Sequence, residues 1–374
     1  MTKILTVDQS FKKFLTNLNL TPKQLQRIQK TRESIDAALS NHPRIFLNTQ
    51  KQISFLTGSY SRKTIIRPID DIDLYVRIHY GKHAEGQSPI SILRLMASAI
   101  RKRYPNNTKV NVDAPCIVVT FLGYKVEIVP AVGYSDNPDL YSIPAPGSKE
   151  WMDCYPNVPD KWLSACNHSN DSMFIPLIKM LKQWNRHNKV GLKSFHLELL
   201  TEKVFGAVTD IYSYPQGVFD WMYCVRDWIW QNDYPFVLEP GKSYTCVDDY
   251  LYDKPFRIRV IRNKLDAGLK KAERAWNFYN KGRYGPAKGV WSGMFGPKFP
   301  APQAPTVAPK LVQPSPPPTP TLRDLMSNQP ATGLLGGTYR NSLLDALANP
   351  QPKPQPDMNS LLDAILRSKD PFRK

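Results

Sequence analysis

The chain has 374 residues, of which 41% are hydrophobic and 22% charged, a balance typical of globular proteins that argues against a wholly disordered or fibrous chain. Its net charge of +18 favours anionic partners, and composition alone does not choose among nucleic acid, nucleoside triphosphates and an anionic membrane surface. No apolar run approaches the roughly 20 residues of a membrane span, and the five scattered cysteines suit reduced thiols, so we expect a cytoplasmic protein without a membrane segment.

The first part of the chain predicts a mixed α/β lobe. Thr21 and Pro22 have the pattern of a helix start, and apolar residues then recur at helical spacing as far as Ser40. Ile69–Ile78 alternates with a period of two, which is typical of a strand. A helix is predicted over residues 91–103, followed by two strands, 116–121 and 124–129, joined by a short turn.

Helical periodicity dominates after about residue 170. Helices are predicted over residues 175–184, 196–208, 219–230 and 264–280. The fold class expected is therefore α+β, with a mixed-sheet lobe at residues 1–165 and an all-α lobe at residues 166–300. Of the 34 prolines, 14 follow residue 300, which predicts a proline-rich, disordered tail over residues 301–374.

Acidic residues stand out on two of the predicted strands. Asp71 and Asp73 are two residues apart, so their carboxyl groups should share one face of a strand, while Asp70 should point to the other. Glu127 lies inside an apolar strand, where a charge is costly unless it faces a metal ion or a cleft. Gly58-Ser59 lies a dozen residues before the aspartates and would let a phosphate approach the backbone. Paired carboxylates suit Mg²⁺.

This order of motifs resembles the DNA polymerase β-like nucleotidyltransferase superfamily. The segments GSYSRKTIIRPIDDIDLYV and KVEIVPA are similar to those of the bacterial cyclic-oligonucleotide synthases, the cGAS/DncV-like nucleotidyltransferases of anti-phage signalling. LIKMLKQWNRHNKVGLKSFHLELL, residues 177–200, resembles the helical-lobe segment of that family, and WSGMFGPKF resembles the end of its catalytic core. The resemblance extends over roughly residues 45–300.

The resemblance implies roles for individual side chains. Asp71, Asp73 and Glu127 would bind two Mg²⁺ ions, with Mn²⁺ as a substitute, and would be the catalytic residues. The residues implied to bind nucleotide are Gly58, Ser59, Lys182, Ser194 and Phe195. The activity implied is synthesis of cyclic or linear oligonucleotide second messengers from nucleoside triphosphates, with release of pyrophosphate.

Blander interpretations exist for several of these residues. Lys179 and Lys182 could lie on a solvated helix face, Ser194 could be a helix N-cap, and Phe195 and Trp184 could belong to a core. The basic surface could bind nucleic acid, although a positive funnel for triphosphates needs no such partner. Alternative functions are a toxin-type enzyme that modifies a tRNA or protein acceptor, and a non-catalytic binding module.

The tail contains three similar units: TLRDLM from Thr321, SLLDAL from Ser342 and SLLDAI from Ser360. Each begins with Ser or Thr and has Asp at the fourth place, which resembles a helix start, and each is followed by a proline within a few residues. Helices this short are marginal in water, so the units predict docking to an effector, to a regulator or to another copy of the chain, and the alternative is a low-complexity tail without a partner.

Overall fold

The computed structural model describes residues 5–49, 52–105, 109–147, 149–206, 210–231, 237–240 and 246–300. They form two compact units, one of residues 15–167 and one of residues 5–14 together with residues 168–300. The expected tail, residues 301–374 with its three repeated units, lies outside the described residues. No helix in the described part is both long and apolar enough to cross a membrane.

The first unit is built on a mixed β-sheet. Its strands are β1 (Ser54–Thr57), β2 (Asp71–Arg77), β3 (Lys109–Asp113), β4 (Cys116–Phe121), β5 (Tyr124–Gly133), β6 (Tyr141–Pro144) and β7 (Trp151–Cys154). The order is β1-β2-β5-β4-β3, and β6 pairs with both β5 and β7. Only β2 and β5 run parallel among these pairs, and the expected β4–β5 hairpin is confirmed by its Phe121–Tyr124 register.

The helices follow one another along the chain. They are α1 (Val7–Leu18), α2 (Pro22–Ser40), α3 (Gly58–Ser61), α4 (Tyr80–His83), α5 (Pro89–Arg103), α6 (Asn157–Ser169), α7 (Phe174–His187), α8 (Ser194–Phe205), α9 (Tyr214–Gln231), α10 (Pro255–Asn280) and α11 (Tyr284–Phe295), with a 3₁₀ turn η1 (Asp249–Leu251). The α+β class expected from the sequence is confirmed.

One face of the sheet in the first unit forms a core with helices α2 and α5. Ile72, Leu74 and Val76 of β2 are buried there together with Ile35 of α2 and Met96 of α5. The alternate residues of β2 point to the opposite face, because side chains alternate along a strand. The period of two that predicted this strand therefore also decides which of its residues are available for chemistry.

Helix α2 begins where the sequence indicated. The hydroxyl of Thr21 accepts a hydrogen bond from the Gln24 backbone at 3.3 Å, and the Gln24 side chain accepts one from the Thr21 backbone at 2.9 Å. This reciprocal capping satisfies two of the donors that a helix start leaves without partners. Pro22 follows in the first helical position, where its missing N–H costs nothing.

The second unit is helical and has an aromatic core. Trp184 and Trp221 meet edge to face with their centroids 5.8 Å apart, and both are buried. Gly268 of α10 lies against this pair, since a Cβ there would be 3.1 Å from the Trp184 ring. Trp184 is therefore a core residue, as the blander interpretation held.

Two features of this unit differ from the expectations. Helix α10 begins at Pro255, nine residues before the predicted start, and α11 was not predicted because it contains Gly285, Gly289 and Gly293, which are poor helix formers. Packing of Trp291, Met294 and Phe295 into the core compensates for that low propensity.

The first residues of the chain were expected in the mixed-sheet lobe of residues 1–165, but the structure places them in the other unit. Phe11 and Phe14 are fully buried and pack against Phe295 and Phe299, so residues 5–14 belong to the helical unit. The apolar spacing of this helix shows that it buries one face, but spacing does not say which core receives it.

Candidate active site

The acidic residues are brought together by the parallel pairing of β2 with β5. Asp73 has Glu127 as its register partner, and Asp71 has Lys125. Ile72 is buried on the helix-covered face, so Asp71 and Asp73 occupy the other face together with Glu127. The carboxyl groups predicted from two separate segments, more than 50 residues apart, therefore share one face of adjacent strands. We call this surface the acidic face.

Gly58 lies against the acidic face because β1 pairs with β2. The register places Thr57 opposite Asp73, and Gly58 follows with φ of +65°, in the left-handed region that favours glycine. A Cβ at this position would overlap the Asp73 carboxylate. The backbone thus approaches the carboxylate more closely than any other residue type would permit.

The turn that carries Ser59 is held by hydrogen bonds. The Ser59 carbonyl accepts from the backbone of Thr64 and of Ile65, each at 3.0 Å. The Ser61 hydroxyl lies 3.1 Å from the Gly58 carbonyl and donates to the Asp160 carboxylate at 3.0 Å. These contacts fix the Gly58–Ser61 segment beside the acidic face, as a phosphate-binding turn requires.

Like charges neighbour one another on the acidic face. Burial and then the charge of Asp71 raise the pKa of Glu127, and Lys125 opposes the shift only in part. The pKa of the Cys116 thiol rises to about 12, through burial first and then the charges of Glu127, Asp113 and Asp73. Sequence reasoning did not single out Cys116, because its proximity depends on the β4–β5 register.

The donor set of the acidic face fits a divalent cation. In the part of the chain that the structure describes, no three His, Cys, Asp or Glu side chains are grouped as a preformed metal site. Mg²⁺ does not need such a cage, since it is usually held by one or two carboxylates together with water and substrate phosphates. Asp71, Asp73 and Glu127 supply those carboxylates on one rigid surface.

Lys182 lies in the helical unit and is buried. Its ammonium is 2.6 Å from the Glu198 carboxylate, and the two side chains are 6% and 0% exposed. The interpretation of Lys182 as a solvated surface residue is therefore wrong. Lys179, one turn earlier, is half-buried, and burial together with the Lys182 charge lowers its pKa to about 8.

Glu198 was missed in the sequence, although a signal was present. It stands among apolar residues in SFHLELL, where a carboxylate needs a cationic partner to be buried. Ser194 is exposed and is the first residue of α8, with Lys193 at the N-cap position, so the N-cap interpretation of Ser194 is wrong. Phe195 is partly buried.

Comparison with known proteins finds a family match in the first part of the chain. Residues 5–167 match the model of the Second Messenger Oligonucleotide or Dinucleotide Synthetase domain (SMODS). A cyclic AMP-AMP-AMP synthase of Acinetobacter sp. is 26% identical over 215 residues. That alignment covers 54% of this chain and 59% of the synthase, so the chain spans less than two thirds of that relative.

Solved structures show the same fold. CdnC of E. coli MS115-1, solved with ATP, has a TM-score of 0.60 at 19% identity and covers 79% of this chain and 99% of its own. The DncV cyclic AMP-GMP synthase of Vibrio cholerae has a TM-score of 0.61 at 14% identity, covering 79% and 97%. The SMODS match over residues 5–167 and this fold support the resemblance of the chain to the cGAS/DncV-like nucleotidyltransferases.

Proposed function

We propose that this chain joins nucleoside triphosphates into a cyclic or linear oligonucleotide second messenger and releases pyrophosphate. The observation that carries the proposal is the acidic face, in which Asp73 and Glu127 are register partners and Gly58 lies against Asp73. Adjacent like charges are unfavourable for folding, and a bound cation would offset their repulsion. The names of the Acinetobacter and Vibrio relatives support the product class.

In this proposal the ribose hydroxyl of one nucleotide attacks the α-phosphorus of another. A new phosphorus–oxygen bond forms, the bond to pyrophosphate breaks, and the hydroxyl proton passes to solvent water. Two Mg²⁺ ions, or Mn²⁺, would lower the pKa of the attacking hydroxyl and offset the negative charge of the phosphates. Asp71, Asp73 and Glu127 would hold these ions on a rigid sheet.

The phosphates need donors as well as cations. The backbone turn at Gly58 and Ser59 is fixed beside Asp73 and would position the triphosphate there. Lys182, Ser194 and Phe195 of the helical unit are proposed as further nucleotide contacts, with Ser194 at the start of a helix, where backbone N–H groups favour anions. CdnC solved with ATP supports nucleoside triphosphates as substrates.

The experiment that tests the proposal uses the full chain with all four nucleoside triphosphates and Mg²⁺, first without an acceptor and then with total tRNA. Mass spectrometry of the acceptor-free reaction should show oligonucleotides and pyrophosphate. Nucleotide addition to tRNA, with no acceptor-free product, would instead establish the toxin-type activity and overturn the proposal. The result also decides between a cyclic and a linear product.

We further propose a role in anti-phage signalling, in the cytoplasm where nucleoside triphosphates are made. An E. coli relative, 25% identical over 158 residues, is a CBASS oligonucleotide cyclase CdnC, and a CdnC structure contains HORMA-deltaN as a second protein. A regulator or effector that docks on the repeated units of residues 301–374 would be the counterpart here. A chain ending at residue 300 should keep synthesis in vitro and lose that partner in a pull-down.

A further inference from the structure

The connection between α7 and α8 has an unusual backbone. Lys189 and Gly191 have φ values of +51° and +95°, so the segment before Ser194 turns sharply. The Asn185 side chain holds this turn from α7, since its amide donates to the Leu192 carbonyl at 2.7 Å and its oxygen accepts from the Leu192 backbone at 3.1 Å. The path of the chain into α8 is therefore fixed from one side by α7.

Tyr250 holds the same connection from another segment, 57 residues beyond Lys193 in the chain. Its hydroxyl accepts the backbone N–H of Lys193 at 2.9 Å and lies 3.0 Å from Nδ1 of His196. The Lys193 ammonium is 4.5 Å from the centroid of the Tyr250 ring. Arg257 donates to the Tyr250 carbonyl at 3.2 Å, which ties the tyrosine to α10.

The hydrogen bond from Lys193 has a fixed direction because a backbone N–H can only donate, whereas the contact with His196 depends on the tautomer of the ring. The Tyr250 oxygen accepts from the Lys193 N–H, and its own proton can be donated to His196 Nδ1 in the tautomer that carries its proton on Nε2. Burial, and then the charge of Lys193, lowers the pKa of His196 to about 3, so the ring is neutral at physiological pH. One buried hydroxyl thus joins the residue before α8 to its first turn.

We propose that Tyr250 is a positioning residue for the nucleotide: by joining Lys193 to His196 it fixes the first turn of α8, which carries Ser194 and Phe195. The inference rests on the proposed function, in which those two residues contact the substrate. The first N–H groups of a helix have no partners within it, so their direction depends on how the first turn is held. Tyr250 need not touch the nucleotide to affect its binding.

Tyr250→Phe tests this role because it keeps the ring over which Lys193 lies and removes only the hydroxyl. We expect the Kd and the KM for ATP to rise about ten-fold, the usual effect of one lost hydrogen bond, with kcat within about two-fold of the wild type. Tyr134→Phe is the matched control, since the Tyr134 hydroxyl makes a 2.7 Å hydrogen bond to Ser142 in the other unit. Its Kd for ATP should be unchanged.

A double-mutant cycle separates positioning from general stability. If Tyr250 acts through the first turn of α8, Tyr250→Phe should add little to the effect of Ser194→Ala on the Kd for ATP. Additive effects in the double variant, or an unchanged Kd in Tyr250→Phe, would overturn the inference. His196→Phe provides a second variant, which leaves the Tyr250–Lys193 bond in place and should raise the Kd by a smaller factor.

The two proposals fail in distinguishable ways. Equilibrium binding of a fluorescent ATP analogue measures the role of Tyr250 whether or not an oligonucleotide is made. A wild-type chain that binds ATP but makes no oligonucleotide would contradict the proposed function. The positioning role of Tyr250 would then still be tested by comparing the Kd for ATP of the wild type with that of Tyr250→Phe. A wild-type chain that makes product, with equal Kd values for wild type and Tyr250→Phe, would reject only the positioning role.

Discussion

The two units treat their buried and half-buried charges in opposite ways. On the acidic face, Glu127 neighbours Asp71, and this like charge adds to burial in raising its pKa. Between α7 and α8, Lys182 is paired with Glu198 at 2.6 Å, and both are shielded from solvent. The first arrangement costs folding free energy unless a cation binds, whereas the second is already neutralised. The ion pair joins α7 to α8, whereas the like charges of the acidic face are the basis for proposing a bound cation there.

The largest effect is expected from removing one charge of the acidic face. Asp73→Asn should lower the rate of oligonucleotide synthesis by several orders of magnitude, because a carboxylate that would hold the metal ions is lost. The thermal unfolding temperature without metal should stay the same or rise slightly, since a like-charge neighbour is removed. Synthesis is measured by product formation and folding by circular dichroism.

Asp70→Asn is the matched control for this change. Asp70 is exposed and immediately precedes β2, so it carries the same charge without belonging to the shared face. Its replacement should leave synthesis close to that of the wild type. Near-normal turnover of Asp73→Asn with Mg²⁺, or an equal loss in Asp70→Asn, would show that the acidic face is misassigned.

The second prediction concerns the buried ion pair of Lys182 and Glu198. Lys182→Ala should lower the free energy of unfolding by about 3–5 kcal/mol, because it leaves the Glu198 carboxylate buried without its cation. The double variant Lys182→Met, Glu198→Leu should recover most of that stability, since an apolar pair of similar volume needs no compensation. Urea titration gives both values.

The same two variants separate stability from nucleotide binding. If Lys182 contacts phosphate, the double variant should keep a raised KM for ATP although its stability has returned. A KM equal to that of the wild type would leave Lys182 with a structural role alone. A lysine on a solvated helix face would tolerate replacement by alanine, and burial of the Lys182–Glu198 pair is the reason for expecting a loss of stability instead.

A smaller effect is expected from the pH dependence of Glu127. Because its pKa in the folded state is raised, the folded chain retains this proton over a range of pH in which the unfolded chain has lost it. The free energy of unfolding therefore falls as pH increases from the ordinary glutamate value of about 4.3 through the raised value. Glu127→Gln removes this pH dependence of the free energy of unfolding, because an amide does not titrate in this range.

The unfolding temperature of Glu127→Gln relative to the wild type, without divalent metal, should therefore increase as pH is raised from 4 to 7. Thermal scans at several pH values measure the difference. If the unfolding temperature of Glu127→Gln relative to the wild type falls over this range, the repulsion inferred between the carboxylates of the acidic face is contradicted. Lys125→Met offers a control of opposite sign, because Lys125 lowers the pKa of Glu127.

The smallest effect concerns the thiol beside the acidic face. With a pKa of about 12, Cys116 should be alkylated slowly by iodoacetamide at pH 8, since the thiolate is the reactive form. Burial is the main cause of the shift, so Glu127→Gln should increase the rate only slightly. Peptide mass spectrometry measures the rate, and rapid alkylation of Cys116 in the wild type would contradict its placement.

Much of the acidic face could be predicted from the sequence because its determinants are local. Alternation along Asp71–Arg77 placed both aspartates on one side of a strand, and a lone acid in an apolar run marked Glu127. That Asp73 and Glu127 are register partners could not be derived in this way, since parallel pairing joins segments that are distant in sequence.

The residues that the sequence did not reveal depend on tertiary packing. Glu198 is paired with a lysine of another helix, and Tyr250 holds a turn far from it in the chain. Helix α1 was not predicted, and its Phe14 packs against Phe295 and Phe299. Periodicity indicates that a face is buried and carries no information on its partner.

The central claim is that the acidic face holds divalent cations together with a triphosphate. It is tested most directly by electron paramagnetic resonance titration of Mn²⁺ into the full chain with an ATP analogue that cannot release pyrophosphate. We expect two Mn²⁺ ions per chain in the wild type and in Asp70→Asn, and loss of this binding in Asp71→Asn and Asp73→Asn. Identical Mn²⁺ titrations for wild type and Asp73→Asn would contradict the account.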